Sequence, residues 1–160
     1  MQHYEESSII PATAEKIFTY IDDHTRFSSH MNKSSWMMGG GKMETTVDEG
    51  MGQKIGSHIL LSGSAFGIKI FLDEVVTSHE PPFRKAWETV GTPKLLIVGS
   101  YGMGIEIKPQ NGQSQLCVSI DYDLPPTNVW LGRLFSGVYA KWCVRQMING
   151  THDEFILQLH

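Results

Sequence analysis

The chain has 160 residues, of which 41% are hydrophobic and 19% charged, and its formal net charge at pH 7 is -4. This length suits one domain, and the apolar content excludes an intrinsically disordered chain. The acidic balance argues against binding to the phosphate backbone of nucleic acids, so we expect no nucleic-acid partner.

Two cysteines, Cys117 and Cys143, are too few for a disulfide framework, and we expect both to be inert, reduced thiols. The first ten residues carry two acids and no long apolar run, which is unlike a secretory signal. The most apolar stretch, residues 94–107, is interrupted by glycines and is too short to cross a bilayer. We therefore expect a cytoplasmic protein without integral membrane association, as a monomer or a weak homodimer.

The first predicted elements are a strand over residues 4–10 and two short helices. Pro11 ends the strand, and Thr13 precedes the first helix in the position of an N-cap. The apolar stripe of this helix contains Ile17, Phe18 and Ile21. Phe27, His30 and Met31 have helical spacing and predict the second helix.

After three glycines at positions 39–41, the apolar period changes from about 3.6 residues to about 2, which is typical of strands. We predict strands within residues 42–50, 52–63, 67–82, 84–91, 94–108 and 115–124. In the second of these, Ile55, Ile59 and Leu61 share one face, and Asn111-Gly112 predicts a tight hairpin before the last strand. The pattern predicts an antiparallel sheet with one apolar face.

The end of the chain must cover that face. Pro125-Pro126 close the last strand, and Thr127 or Asn128 can cap a long helix. The helical stripe predicted to face the sheet contains Leu131, Leu134, Phe135, Val138 and Trp142, and the polar residues Arg145 and Asn149 continue it. Beyond Gly150 the apolar residues lie on a different side of the helix, so we expect the helix to bend or restart near that residue.

The order of elements resembles the START-like, or Bet v 1-like (SRPBCC), helix-grip superfamily, in its polyketide cyclase/dehydrase and lipid-transport branch. Residues 8–18 (SIIPATAEKIF) resemble the opening strand, Pro-Ala turn and first helix of that branch. Val76, residues 80–84 (EPPFR) and residues 87–89 (WET) resemble its strand, Pro-Pro-Arg turn and next strand. The resemblance covers nearly the whole chain.

The resemblance implies one α+β helix-grip domain over residues 1–160. A curved antiparallel sheet of about seven strands would wrap around the long C-terminal helix, with two short helices after the first strand. It further implies an elongated cavity between the sheet and the helix, and a hydrophobic or amphipathic small molecule as the partner. Some members of the superfamily are enzymes, so the fold alone does not decide the chemistry.

The chain lacks a recognisable catalytic or metal-binding motif. Its seven histidines form no HxH or HExxH pattern, and residues 38–43 (MGGGKM) lack the second glycine and the hydroxyl residue of a phosphate loop. Alternation places Glu88, Glu106, Asp121 and Asp123 on the outer strand faces, so no carboxylate pair is positioned for catalysis. We predict no metal and no cofactor.

Large side chains on the predicted inner surfaces are the candidates for a ligand site, although for most of them individually ordinary core packing is the better explanation. The predicted ligand-binding residues are Phe27, Met31, Trp36, Ile59, Trp87, Tyr101, Met103, Tyr122, Phe135, Val138, Trp142 and Arg145. Arg145 either anchors an acidic group of the ligand or extends to the helix edge and pairs with an acid such as Glu88.

Three functions remain open at this point. The first is a protein that carries or sequesters the small molecule. The second is a cyclase, dehydrase or aromatase-like enzyme, in which Tyr101, Tyr122 and Arg145 would polarise a carbonyl group. The third is a protein-interaction module, which requires a large exposed apolar patch.

Overall fold

The computed structural model describes residues 1–27, 43–65, 67–91, 99–125 and 129–157. Within these ranges, the helices are α1 (Ala14–Asp22), α2 (His24–Phe27) and α3 (Val129–Leu157). The strands are β1 (Gln2–Ile10), β2 (Met43–Val47), β3 (His58–Ala65), β4 (Ile68–Glu80), β5 (Arg84–Thr89), β6 (Tyr101–Gln110) and β7 (Gln113–Tyr122). The predicted order of elements is confirmed.

The strands form one antiparallel sheet in the order β1-β7-β6-β5-β4-β3-β2. Successive strands from β2 to β7 are neighbours, and β1 closes the far edge against β7. The hairpin between β6 and β7 turns at Asn111 and Gly112, whose φ angles of 49° and 83° are the positive values of a tight hairpin turn. The hairpin prediction is therefore confirmed.

Local capping and packing fix α1. The Thr13 hydroxyl accepts a hydrogen bond from the Lys16 backbone N–H at 3.4 Å, so Thr13 is the N-cap. Ile17, Phe18 and Ile21 are buried, as the apolar spacing predicts. Together with α3 they cover the inner face of β1, β6 and β7.

The strand predicted over residues 52–63 begins later, at His58. Met51, Gly52 and Gly56 have φ angles of 58°, 69° and 88°, and this left-handed backbone makes turns instead of a strand. Ile55 is therefore 67% exposed, and its predicted place beside Ile59 on the inner face is wrong.

The helix α3 runs through Gly150 without restarting. The Thr151 hydroxyl donates a hydrogen bond to the Met147 carbonyl oxygen at 2.8 Å, and so bonds back along the helix. Glu154 pairs with Arg26 of α2. The predicted restart of the helix near Gly150 is therefore wrong, because one continuous helix spans Val129–Leu157.

Candidate functional site

Two apolar clusters lie on the inner side of the sheet, and the helix α3 packs extensively against only one of them. The larger cluster joins α1 and α3 to β1, β6 and β7. The smaller cluster consists of Leu61 of β3 with Ile70 and Leu72 of β4. Among the described residues, α3 lies chiefly against β1 and β7, and no comparable packing joins it to β3 or β4.

Two aromatic side chains bridge these clusters. Tyr101 of β6 contacts both of them, and Trp142 of α3 contacts the smaller one. Both rings are only partly buried. The inner face of β3–β4 thus presents aliphatic side chains next to these two aromatic rings.

A buried carboxylate, Glu74, lies on the same inner face of the sheet. Leu72, Glu74 and Val76 alternate on the inner face of β4, and Glu74 is 3% exposed. The Tyr101 hydroxyl donates a hydrogen bond to Glu74 Oε2 at 2.6 Å. Burial raises the pKa of Glu74 to about 7, whereas hydrogen bonds from Tyr101 and Trp87 act to lower it.

Two side chains of α3 complete the polar centre. Burial first, and then the neighbouring Cys143, hold the pKa of the Tyr139 hydroxyl well above its usual value. Burial also raises the pKa of the Cys143 thiol to about 12, so the thiol stays protonated and unreactive. The Tyr139 and Trp142 rings lie 5.7 Å apart. The group defined here as the Glu74 cluster contains Glu74, Trp87, Tyr101, Tyr139, Trp142 and Cys143.

A second polar group lies near Trp87 at the end of α1. The Lys85 ammonium is fully buried and donates a hydrogen bond to Asp22 Oδ1 at 2.7 Å, and it lies 5.9 Å from the centre of the Trp87 ring. His79 also contacts the Asp22 carboxylate, at 3.0 Å. The charge of Lys85, although close to the Trp87 ring of the Glu74 cluster, is thus balanced by Asp22.

The ring of His24 lies edge-on to Trp87, with 4.8 Å between ring centres. Burial, and secondarily the charge of Lys85, lower the pKa of His24 well below its usual value. Its Nε2 is buried without a hydrogen-bond partner in the part of the chain that the structure describes. A neutral imidazole therefore supports one face of the Trp87 ring.

The structure brings some of the predicted site residues together and separates others. Trp87 and Tyr101 meet at Glu74, and Trp142 lies with Tyr101 beside the smaller apolar cluster. Four others are buried in the core: Phe27, Ile59, Met103 and Tyr122. Met31 and Trp36 lie outside the described residues.

The predicted inward positions of Phe135 and Val138 are wrong. These side chains are 48% and 57% exposed, and Leu134 beside them is 63% exposed. The face of α3 that packs on the sheet instead contains Ser136, Ala140, Cys143, Val144, Met147 and Ile148. Small side chains allow the helix to approach the strands closely, and apolar residues on every face of α3 leave its period ambiguous.

The placement of Arg145 on the inner stripe is also wrong, because the packed face of α3 lies elsewhere. Its side chain is 50% exposed, and Nε lies 3.1 Å from Glu6 Oε2 of β1. Glu6 also accepts a hydrogen bond from the Tyr4 hydroxyl at 2.8 Å. The expected alternative, a pair with an acid at the helix edge, is confirmed, but the acid is Glu6 and not Glu88.

Sequence reasoning missed Glu74 and Tyr139. The sequence carries a signal for Glu74, since it falls in phase between Leu72 and Val76 on a strand whose inner positions are otherwise apolar. No comparable signal marks Tyr139, because its inward position depends on the rotation of α3 about its axis.

Neither a metal cluster nor a membrane-spanning helix is found in the described ranges. No three His, Cys, Asp or Glu side chains there are grouped to hold a metal ion. None of the helices described is long and apolar enough to cross a membrane.

The architecture is that of the helix-grip class, with a seven-stranded antiparallel sheet and a long C-terminal helix. The family described as polyketide cyclase / dehydrase and lipid transport matches residues 1–152. The chain belongs to this family, as its sequence resemblance implies.

Solved structures agree on the fold at low sequence identity. TTHA0849 from Thermus thermophilus has a TM-score of 0.70 and 14% identity, with 98% of this chain and 99% of that chain covered. XoxI from Bacillus cereus has a TM-score of 0.64 and 15% identity, with 100% and 99% covered. Ara h 8.0201 has a TM-score of 0.62 and 12% identity, with 94% and 97% covered. No curated protein matches the sequence.

Proposed function

We propose that the chain binds a hydrophobic or amphipathic small molecule between the inner face of the sheet and α3, and carries or sequesters it. The family and the fold support a ligand-binding module of this kind. The observation that carries the finer proposal is the separation of the two apolar clusters. Leu61, Ile70 and Leu72 present an aliphatic surface that α3 contacts through Trp142, whereas most of the packing of α3 is against β1 and β7.

The three side chains are already buried, so the ligand would gain affinity from the apolar surface of its own that it withdraws from water on this wall. Each apolar side chain withdrawn from water stabilises a complex by about 25 cal/mol for every square ångström buried. Tyr101 and Trp142 lie beside this surface and are only partly buried, so they can contact a ligand. A pocket with mostly apolar walls and a few polar groups is typical of small-molecule sites.

Two substitutions on adjacent residues of β4 test the location. Leu72 points inward and is 6% exposed, whereas Phe71 points outward and is 54% exposed. We expect Leu72→Trp to fill the space and to weaken the binding of decanol at least about tenfold, and Phe71→Trp to leave it unchanged. Isothermal titration calorimetry measures both, and chemical denaturation checks that each variant is folded.

Native mass spectrometry of freshly purified protein provides an independent test. We expect a copurifying apolar molecule at close to equal stoichiometry, which solvent extraction releases for identification. If the protein is empty and binds neither decanol nor an environment-sensitive dye, the proposal is wrong.

A second candidate function, catalysis on the bound molecule, is favoured by one observation. Glu74 has a pKa of about 7 and accepts a hydrogen bond from Tyr101, which are the properties of a general acid–base pair. The molecule that copurifies with Glu74→Gln should then be converted when wild-type protein is added, and mass spectrometry would detect the product. An unchanged molecule would rule out this second function.

A further inference from the structure

We propose that the Glu74 cluster recognises a cationic head group, so that the ligand is an apolar molecule carrying an amine or a quaternary ammonium. This inference rests on the proposed function, and it specifies the chemical class of the ligand. It stands on three features of the cluster: an unpaired carboxylate, the aromatic rings around it and the aliphatic surface beside it.

The carboxylate of Glu74 has no counter-charge in the described part of the chain. No Lys, Arg or His side chain there forms an ion pair with it, and its partners are the hydroxyl of Tyr101 and the side chain of Trp87. The nearby Lys85 is already paired with Asp22. A buried charge without a partner is costly, and a cationic ligand would supply the missing positive charge.

Aromatic rings surround this carboxylate. Trp87 and Tyr101 hydrogen-bond Glu74 through the polar groups at their ring edges, and Trp142 lies with Tyr101 beside the smaller aliphatic cluster, where ring faces are left for a cation. The Tyr139 ring contacts Trp142. The negative faces of aromatic rings attract ammonium groups, and rings of this kind form the cages that bind quaternary ammonium ions. The aromatic rings and the carboxylate therefore favour the same head group.

The aliphatic surface determines the chemistry of the ligand beyond its head group. Leu61, Ile70 and Leu72 form an apolar wall next to Tyr101 and Trp142. A molecule with a cationic head in the Glu74 cluster would place an apolar body along this wall. Anionic amphiphiles are disfavoured at the same position, because their head group would lie against the Glu74 carboxylate.

Three probes with the same apolar chain test the preference for a head group: decyltrimethylammonium, decanol and decanoate. At about pH 8.5, where Glu74 is ionised, we expect decyltrimethylammonium to bind at least about tenfold more tightly than decanol, and decanoate to bind most weakly. Isothermal titration calorimetry below the aggregation concentration of each probe gives the three dissociation constants.

Glu74→Gln should abolish the preference for decyltrimethylammonium over decanol. The matched control is Glu88→Gln on β5, an exposed position that removes the same charge from the chain and should keep the preference. The control separates recognition by Glu74 from the general attraction of a cation to an acidic protein. The inference is refuted if the preference for decyltrimethylammonium persists in Glu74→Gln. It is also refuted if decanol binds wild-type protein as tightly as decyltrimethylammonium does.

A pH series on wild-type protein keeps the test valid if the Glu74 variant does not fold. Glu74 faces Tyr101 of β6 and Tyr139 and Cys143 of α3, whereas the adjacent Asp73 lies on the outer face and pairs with His58. Of these, the tyrosines and Cys143 have pKa values raised by burial, so they stay protonated near neutral pH.

We expect the affinity for decyltrimethylammonium, relative to decanol, to rise roughly tenfold between about pH 6 and about pH 8.5 as Glu74 ionises. A flat or falling ratio would overturn the inference. If none of the three probes binds at any pH, the proposed function itself fails. Binding of decanol without a preference for the cation would overturn the inference alone.

Discussion

Replacing Glu74 with Gln should remove a large pH dependence from the stability of the fold. The carboxyl group is 3% exposed, and burial is the largest cause of its raised pKa. A Gln side chain has nearly the same shape and can still accept the hydrogen bond that Tyr101 donates. The substitution therefore changes the charge of the site and little of its packing.

The magnitude follows from the two pKa values of Glu74. The carboxyl titrates at 4.5 when unperturbed and at about 7 in the folded chain. The folded chain therefore holds this proton more tightly than the unfolded chain. Stability from this group is fully present below pH 4.5 and is lost as the pH rises through about 7. At higher pH the loss reaches about 3 kcal/mol, since each unit of pKa corresponds to about 1.4 kcal/mol.

Urea denaturation between about pH 5 and about pH 9 measures the effect. We expect Glu74→Gln and wild type to have similar free energies of unfolding at the acid end, and the variant to be more stable by up to about 3 kcal/mol at the alkaline end. The exposed control Glu88→Gln should follow wild type across the range. Groups that titrate in both proteins cancel when the free energies of unfolding of Glu74→Gln and wild type are subtracted. If the two free energies change with pH in parallel, the reasoning is therefore refuted.

Three further experiments, with five substitutions between them, give contrasting results. Arg145→Ala should leave decanol binding unchanged and shift the denaturation midpoint only slightly, because the ion pair of this residue is exposed; a large loss of binding would contradict its placement. Asp22→Asn should cost about 3 kcal/mol by leaving Lys85 buried without a partner, and adding Lys85→Met should recover much of that loss in the same denaturation assay. Gly52→Ala should destabilise more than Gly56→Ala: both have positive φ, but an added Cβ at Gly52 meets neighbours at 3.0 and 3.2 Å, whereas none lies within 4 Å at Gly56. Equal midpoints for the two glycine variants would show that these contacts do not matter.

Strand alternation allowed much of the sheet to be predicted from the sequence. On β6 and β7, inward apolar residues lie opposite one another in pairs. Met103 is paired with Ile120 and Ile105 with Val118, and all four side chains are buried. A shift of one residue would expose every one of them, so the pattern specifies the register strongly. The same argument fails at Ile55, where positive φ angles in the preceding loop replace a strand by turns.

The candidate site was less predictable, because it depends on how elements meet. The register of β4 shifts between Val76 and Ser78, and beyond this irregularity His79 pairs with Lys85 near the end of α1. No local pattern in the sequence marks such a bulge. The rotation of α3 depends on close approach by Ala140 and Ser136, a preference for small residues that a hydrophobic stripe does not reveal.

Glu74 illustrates the boundary between the two cases. Its inward direction follows from alternation on β4, but its effect depends on Tyr101 and Trp87 from two other strands. The local sequence can indicate that a carboxylate points into the core. Its burial, its hydrogen bonds and its raised pKa require the three-dimensional arrangement.

A crystal structure of the chain with bound decyltrimethylammonium would test the central claim most directly. The account predicts the apolar tail between Leu72 of β4 and Trp142 of α3, with the head group against Glu74. A space filled completely by protein side chains would contradict it. So would a probe bound only to the exposed face of α3 around Trp130, which is 65% exposed.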